Sequence, residues 1–216
     1  MAEYRLIMGN KNYSSWSLRA WLMLKLAGAD FEETTVLLGR PDSQQKLREL
    51  SPTGLVPVLV HGGLVIPESI AIAEYLAERH PHASLWPADA AARARARAVA
   101  AQMHAGFFGL RSEMPMNLTH RTDKVQPSDQ AKADITAVQA LWHRCRSVFG
   151  QDGPYLFGRP GIADAMYAPV ATRLRTYGVA VDADTAEYME AIFALPAMQE
   201  AMALAAEEPR IPEYDL

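Results

Sequence analysis

The chain has 216 residues, half of them apolar, with a net charge of −4 and a pI near 5.9. That size and composition suit one large or two small packed domains, and the acidic balance argues against a nucleic-acid partner, which normally calls for a basic face. No apolar run approaches the roughly 20 residues that span a bilayer, and the first dozen residues lack the basic and apolar regions of a signal peptide. The single cysteine, Cys145, leaves no internal disulfide and no CxxC pair, so a cytoplasmic protein is expected.

In chain order, residues 4–8 read as a strand, 15–27 as a helix closed by Gly28, and 32–37 as a second strand, which makes a βαβ unit. A short helix follows over 42–50, with Asp42 or Ser43 near its cap. Pro57 then opens the apolar run Val58-Leu59-Val60, His61-Gly62-Gly63 supplies a three-residue turn, Leu64-Val65-Ile66 forms a fourth strand, and Glu68-Ser69 begins a helix running to His80. The order βαβαββα requires a mixed four-stranded sheet with helices on both faces, because βαβ crossovers pair in parallel and hairpins do not.

The texture changes after this first domain of residues 1–81. Residues 82–88 form a linker packed through Leu85 and Trp86, and 89–216 show no strand pattern. An alanine-rich helix over 89–111 is interrupted by Pro115, and a second long helix covers 128–149, with Ile135, Val138, Leu141, Trp142 and Cys145 at helical spacing, so Cys145 belongs to the core. Further helices fit 162–177, 184–194 and 197–207, ahead of a proline-rich tail. Arg93, Arg95 and Arg97 point to opposite sides of their helix, as on a solvated or interface surface. The six histidines have no metal-binding spacing, and no glycine-rich phosphate loop is present.

A small βαβαββα domain with a proline before its third strand, joined to an all-helical domain, resembles the glutathione transferase superfamily over nearly the whole chain. The resemblance implies a thioredoxin-like first domain in which Val56-Pro57 is the cis-proline step, with the Val56 backbone pairing with the cysteinyl part of glutathione. Glu68-Ser69 would hold the γ-glutamyl end, Glu68 its ammonium and Ser69 its carboxylate. For the glycyl carboxylate, Arg40, Gln44, Gln45 and Lys46 are candidates, with Arg40 and Gln44 first.

A free thiol, with a pKa of about 8.5, is mostly protonated at neutral pH and must be helped to ionise. The segment Asn12-Tyr13-Ser14-Ser15-Trp16-Ser17-Leu18-Arg19 is similar to the Ser-Ser-X-Ser segment of zeta-class transferases. This marks Ser14 as thiolate partner and Ser15 as helper or cap, with the Tyr13 hydroxyl as the third contender. Trp16 stands where zeta enzymes commonly carry cysteine, a departure that bears on isomerase activity toward maleylacetoacetate; the lack of a cysteine in this loop argues against the omega-like branches. Gly161-Ile162-Ala163-Asp164 resembles the superfamily's buried helix start with glycine in place of Ser or Thr, and its role is in folding. The electrophile pocket would draw on Tyr13, Met103, Phe107 and Arg111, with His104 and Phe108 nearby. Expected by this resemblance is a metal-free homodimer that conjugates the glutathione thiolate to a small electrophile. The alternatives are a glutathione-dependent cis-trans isomerase of the maleylacetoacetate type and a catalytically silent binding protein.

Overall fold

The structure, a computed structural model, describes residues 2–215. Four strands form one mixed sheet: β1 (Tyr4–Gly9), β2 (Phe31–Val36), β3 (Val58–His61) and β4 (Leu64–Pro67), in the spatial order β2-β1-β3-β4. β1 and β2 pair in parallel, while β1 with β3 and β3 with β4 are antiparallel. Between them lie α1 (Ser15–Ala27), α2 (Ser43–Leu50) and α3 (Ser69–Arg79). The thioredoxin-like order is therefore the one expected. His61 pairs directly with Leu64, so the hairpin turn is the two residues Gly62-Gly63, not three; Gly62 takes φ 57°, a conformation that favours glycine.

The pleat divides the sheet's side chains between two apolar layers. Tyr4, Leu6, Met8 and Leu59 join the main core with α1 and α3, whereas Ile7, Val58, Val36 and Leu47 of α2 are buried outside that cluster. α1 is unusual in being enclosed all round: Ser17 to Leu24 are buried without interruption, and the helix packs against α3 and against two helices of the second half. Its end is set by Gly28 at φ 65°, whose N–H reaches back to the carbonyls of Leu24 and Lys25.

The second half is all helical among the described residues: α4 (Ala90–Ala105), α5 (Phe108–Glu113), α6 (Asp129–Phe149), α7 (Ile162–Thr176), α8 (Ala183–Ala194) and α9 (Pro196–Ala206). The helix expected to run unbroken over 89–111 is split. Gly106 is extended and Phe107 takes φ 57°, so α5 sets off on a new axis well before Pro115. α6 starts one residue after the position expected, because Ser128 serves as its cap, with Ser128 Oγ accepting the Ala131 N–H. Cys145 is wholly buried in the core, which pushes its thiol pKa up.

Every residue of α7 except Arg175 is buried. Its start shows why glycine precedes it. Asp164 accepts the N–H groups of Leu156 at 3.1 Å and Gly161 at 3.0 Å and the Tyr188 hydroxyl at 3.2 Å; burial still lifts its carboxyl to about 6. The linker residue Leu85 accepts the Ile162 N–H, and a Cβ on residue 161 would lie 2.6 Å from that same Leu85 oxygen. The linker carbonyl thus does the work of a capping hydroxyl, at a distance only glycine permits. Restoring a hydroxyl by Gly161→Ser should therefore destabilise the protein by about 1–3 kcal/mol, read as a lower denaturant midpoint; an equal or higher midpoint would contradict this account.

Candidate functional site

The turn between β1 and α1 is closed by Asn10, whose carbonyl accepts the N–H groups of Tyr13 at 3.3 Å and Ser14 at 2.8 Å. Ser14 is thereby delivered to the N-cap of α1, where its Oγ accepts the Ser17 N–H at 3.4 Å and lies 2.8 Å from Ser17 Oγ. Ser17 Oγ in turn accepts the Gly9 N–H at 2.9 Å. Ser15, half-buried at the first helical position, receives Arg173 Nη2 on its Oγ at 3.3 Å. The positive end of α1 is thus lined by hydroxyls on a rigid base.

Beside it opens a cleft of about 270 Å³, lined by Trp16, Thr53, Leu55, Val56, Pro57, Glu68, Ser69 and His104. The Val56-Pro57 peptide is cis, and Val56 precedes Val58, the first paired residue of β3. Glu68 adopts φ 74°, a conformation rare for a residue with a side chain. Its carboxylate lies 3.1 Å from His104 Nε2, which tethers α4 to the start of α3. Ser69 is 1% exposed, and its Oγ has no hydrogen-bond partner among the described residues. A buried hydroxyl in that state costs about 1–3 kcal/mol, and so draws attention to what would complete it.

The structure thus brings Val56, Pro57, Glu68 and Ser69 together, with Ser14 and Ser15 next to the cleft through Trp16 but not in its lining. Tyr13 faces elsewhere. Its hydroxyl accepts the Ile211 N–H at 3.0 Å, its ring stacks on Tyr214 at 5.4 Å, and it is not among the residues that line the cleft. Gln44 borders a depression that shares Thr53 and Leu55 with the cleft, and Arg48 joins it there; Arg40 lines a separate one with Pro41 and Asp42. Met103 is wholly buried in the core, and Phe107 is buried against Tyr167. Of the four expected pocket residues, Arg111 alone stacks on a residue that lines the cleft, Trp16.

Arg111 belongs to a feature that no local motif announced. Its guanidinium lies 5.2 Å from the ring centre of the exposed Phe108 and 4.8 Å from that of Trp16, and Arg19 lies 4.3 Å from the Trp16 ring. Trp16 therefore carries two stacked cations. Arg19 is fully buried; among the described residues it hydrogen-bonds only through Nε, to the Met166 carbonyl at 2.8 Å, and Nη1 and Nη2 have no partner. Arg173, also buried, donates to the carbonyls of Met114 and Pro169 and to Ser15. No carboxylate pairs with any of the three among the described residues. Burial pushes the pKa of Arg19 well down, the like charges of Arg173 and Arg111 add to it, and burial brings Arg173 down to about 10. Three cations with no counter-charge form an electrostatic demand for an anion. The one sequence signal for Arg19 was a charge in the first half of an otherwise apolar helix whose other charge, Lys25, lies in its last turn; Ser17 was signalled by its three-residue spacing from Ser14.

The family model for the glutathione S-transferase N-terminal domain matches residues 13–79, which span the serine turn through α3. Maleylacetoacetate isomerase of Pseudomonas aeruginosa is 32% identical over 180 residues, covering 79% of this chain and 82% of its own. The chain belongs to the glutathione S-transferase superfamily. Among solved structures, it is similar to the holo form of a bacterial zeta-class maleyl pyruvate isomerase, with a TM-score of 0.73 and 26% identity over 95% of this chain and 98% of that one. A glutathione transferase homologue from Burkholderia, solved with bound glutathione, gives a TM-score of 0.72 at 28% identity and covers 95% and 99% of the two chains. Within the superfamily the likeness is to the zeta class, and the likeness to the solved structures extends over 95% of this chain.

Because Ser69 Oγ has no partner in the free protein, Ser69→Ala should leave thermal stability unchanged or raise it by up to about 1 kcal/mol. A clear loss in the melting temperature would mean that the hydroxyl is already satisfied.

Proposed function

We propose that this chain is a glutathione-dependent transferase whose thiolate attacks a small electrophile, and that Val56, Pro57, Glu68 and Ser69 hold the tripeptide. The orphaned Ser69 hydroxyl beside Glu68, at the start of α3, carries the reading. A γ-glutamyl carboxylate would satisfy Ser69 and the exposed N–H groups of the α3 terminus. Its ammonium suits Glu68, whose present partner is a histidine. The Val56 backbone, ahead of the paired part of β3, is available to the cysteinyl residue, and the glycyl carboxylate would extend past Thr53 and Leu55 toward Gln44 and Arg48. Arg40, on its own depression, fits that end less well. This assignment takes no metal.

The sulfur would then lie toward the α1 N-terminus. Hydroxyl protons rotate, so the Ser14–Ser17 contact can run in either direction. With a thiolate present, Gly9 N–H donates to Ser17 Oγ, the Ser17 hydroxyl donates to Ser14 Oγ, and the Ser14 hydroxyl donates to sulfur. The thiol proton goes to solvent, sulfur forms its bond to the electrophilic carbon, and the leaving group departs with its electron pair. Ser15, next to Arg173, supports the same charge from the other side. A homodimer and cytoplasmic residence accompany this reading.

The unpaired arginines favour a second reading, in which the electrophile is an anion and the net reaction an isomerisation. The thiolate adds to a cis double bond conjugated to a carbonyl, the single bond so formed rotates, and elimination returns glutathione unchanged. Arg111 and Arg173 would hold the substrate carboxylates.

Millimolar glutathione should raise the melting temperature, by about 1.4 kcal/mol of stabilisation at ten times Kd, and Ser69→Ala should remove most of that gain. No shift would remove the basis of the proposal, and a shift without turnover would indicate a silent binding protein. Ser14→Ala should raise the pKa of the bound thiol and slow conjugation of a chlorinated aromatic by about a hundredfold; unchanged pH dependence, with Ser15→Ala disabling the enzyme, would transfer the role to Ser15. If the second reading holds, Arg173→Met abolishes maleylacetoacetate isomerisation while sparing conjugation of a neutral aromatic.

A further inference from the structure

The C-terminal segment crosses the turn that presents Ser14. Glu208 lies just beyond α9, and its two carboxylate oxygens accept the successive N–H groups of Lys11 at 2.8 Å and Asn12 at 3.0 Å. Three residues on, the Ile211 N–H binds the Tyr13 hydroxyl, and Tyr214 stacks on the Tyr13 ring. The far end is held by Asn117, whose Nδ2 donates to the Tyr214 carbonyl at 3.2 Å and to Asp215 Oδ1 at 2.8 Å. Asn117 itself sits in the loop after α5 whose Leu118 and Thr119 N–H groups bind the backbone and side-chain oxygens of Asn12. Residues 11, 12 and 13 are thus each tied to the chain's last described stretch.

The donors of the turn divide cleanly. Tyr13 and Ser14 give their N–H groups to the Asn10 carbonyl, two local bonds that close the turn, whereas the N–H groups of Lys11 and Asn12 act as a pair and meet only Glu208 among the described residues. Two consecutive N–H groups aimed at one point form a concavity that selects an anion, and a carboxylate fills it with charge-assisted bonds. Lys11 and Asn12 are 5% and 3% exposed, so water cannot readily replace the lost acceptor. Other remote groups also touch this turn, the Leu118 and Thr119 N–H groups on Asn12 and the Ile211 N–H on Tyr13, but Glu208 is the acceptor for both of its N–H groups at Lys11 and Asn12, and the next residue but one carries the thiolate-binding hydroxyl.

We propose that Glu208 is a positioning residue for the glutathione reaction: by closing the Lys11–Asn12 pair of N–H groups it fixes the register of Ser14 on α1, without itself touching either substrate. The inference rests on the glutathione reading above. Its consequence is a split in the kinetics, because the γ-glutamyl subsite at Glu68 and Ser69 is built on α3, out of contact with the strap, while the thiolate-binding hydroxyl sits on the turn. Removing the carboxylate loosens the group that acts on the thiolate and leaves glutathione affinity alone.

Glu208→Ala and Glu208→Gln test this in the full chain. Expected for Glu208→Ala is a kcat about tenfold lower with the glutathione KM within twofold of wild type, and partial recovery in Glu208→Gln, whose single carbonyl oxygen can still serve one of the two N–H groups. Amide exchange supplies a second readout that needs no turnover. In Glu208→Ala the Tyr13 and Ser14 amides, which do not bind Glu208, should exchange about tenfold faster, while those of α3 keep their protection. Wild-type turnover with an unchanged kcat in Glu208→Ala, or unaltered exchange at Tyr13 and Ser14, overturns the proposal. A wild-type protein that binds no glutathione, yet loses protection at Ser14 on substitution, refutes the glutathione reading and leaves the strap standing.

Discussion

The molecule depends on one helix having no free face. α1 carries an eight-residue run of buried side chains, Ser17 to Leu24, because it lies between the sheet with α3 on one side and α7 and α9 on the other. Each buried Leu, Met or Trp in that run contributes on the order of 1.5–3 kcal/mol, which is enough to fix the helix in position and rotation. A helix anchored in this way presents its N-terminus as a rigid fixture. The N-cap, the free N–H groups and the hydroxyls of Ser14 and Ser15 inherit their geometry from packing several turns away.

The same enclosure explains the odd electrostatics of the site. Arg19 sits in the buried run and is drained of solvent, and it is accommodated by the Met166 carbonyl and the Trp16 ring instead of a carboxylate. Desolvating a guanidinium costs several kcal/mol, and Arg173 and Arg111 make the position worse by their like charge. An arrangement of this cost is expected at a site that acts on negative charge, where water-free cations interact strongly with an anion. It also gives Trp16 a role: its ring carries both Arg19 and Arg111 and meets the His104 ring in the cleft at 84°.

Elements with strong periodicity and explicit caps were legible. The helix 15–27 closed by Gly28 agreed to the residue, and the helix expected over 128–149 runs from Asp129 to Phe149, with Ser128 as its cap. The misjudged places were those where local pattern underdetermines the path. The 89–111 helix is continuous in alanine content, yet Phe107 adopts a left-handed conformation because α5 must turn to dock on α6, where Asp134 accepts the Leu110 N–H at 3.1 Å. Gly161 looked like half of a missing cap until the approach of Leu85 gave glycine a steric reason. Tyr13, four residues past the end of β1, resembled a pocket residue by position alone; its hydroxyl oxygen accepts a backbone N–H 198 residues away.

What the sequence determined by itself was the order of elements, the sheet's mixed character, and the short-range pairings of chemistry: Ser14 before a helix, Glu68 and Ser69 at another, Val56-Pro57 between them. These are properties of neighbours along the chain, set by backbone preference and spacing. Only the tertiary structure decided what each group meets. It left Ser69 Oγ without a partner among the described residues, stacked Arg111 on Trp16 beside Arg19, brought Arg173 to Ser15, and laid Glu208 across the turn before α1. The contacts of Arg111, Arg173 and Glu208 join residues far apart in the chain, up to nearly two hundred positions, and they follow from how helices pack around α1, which no local pattern encodes.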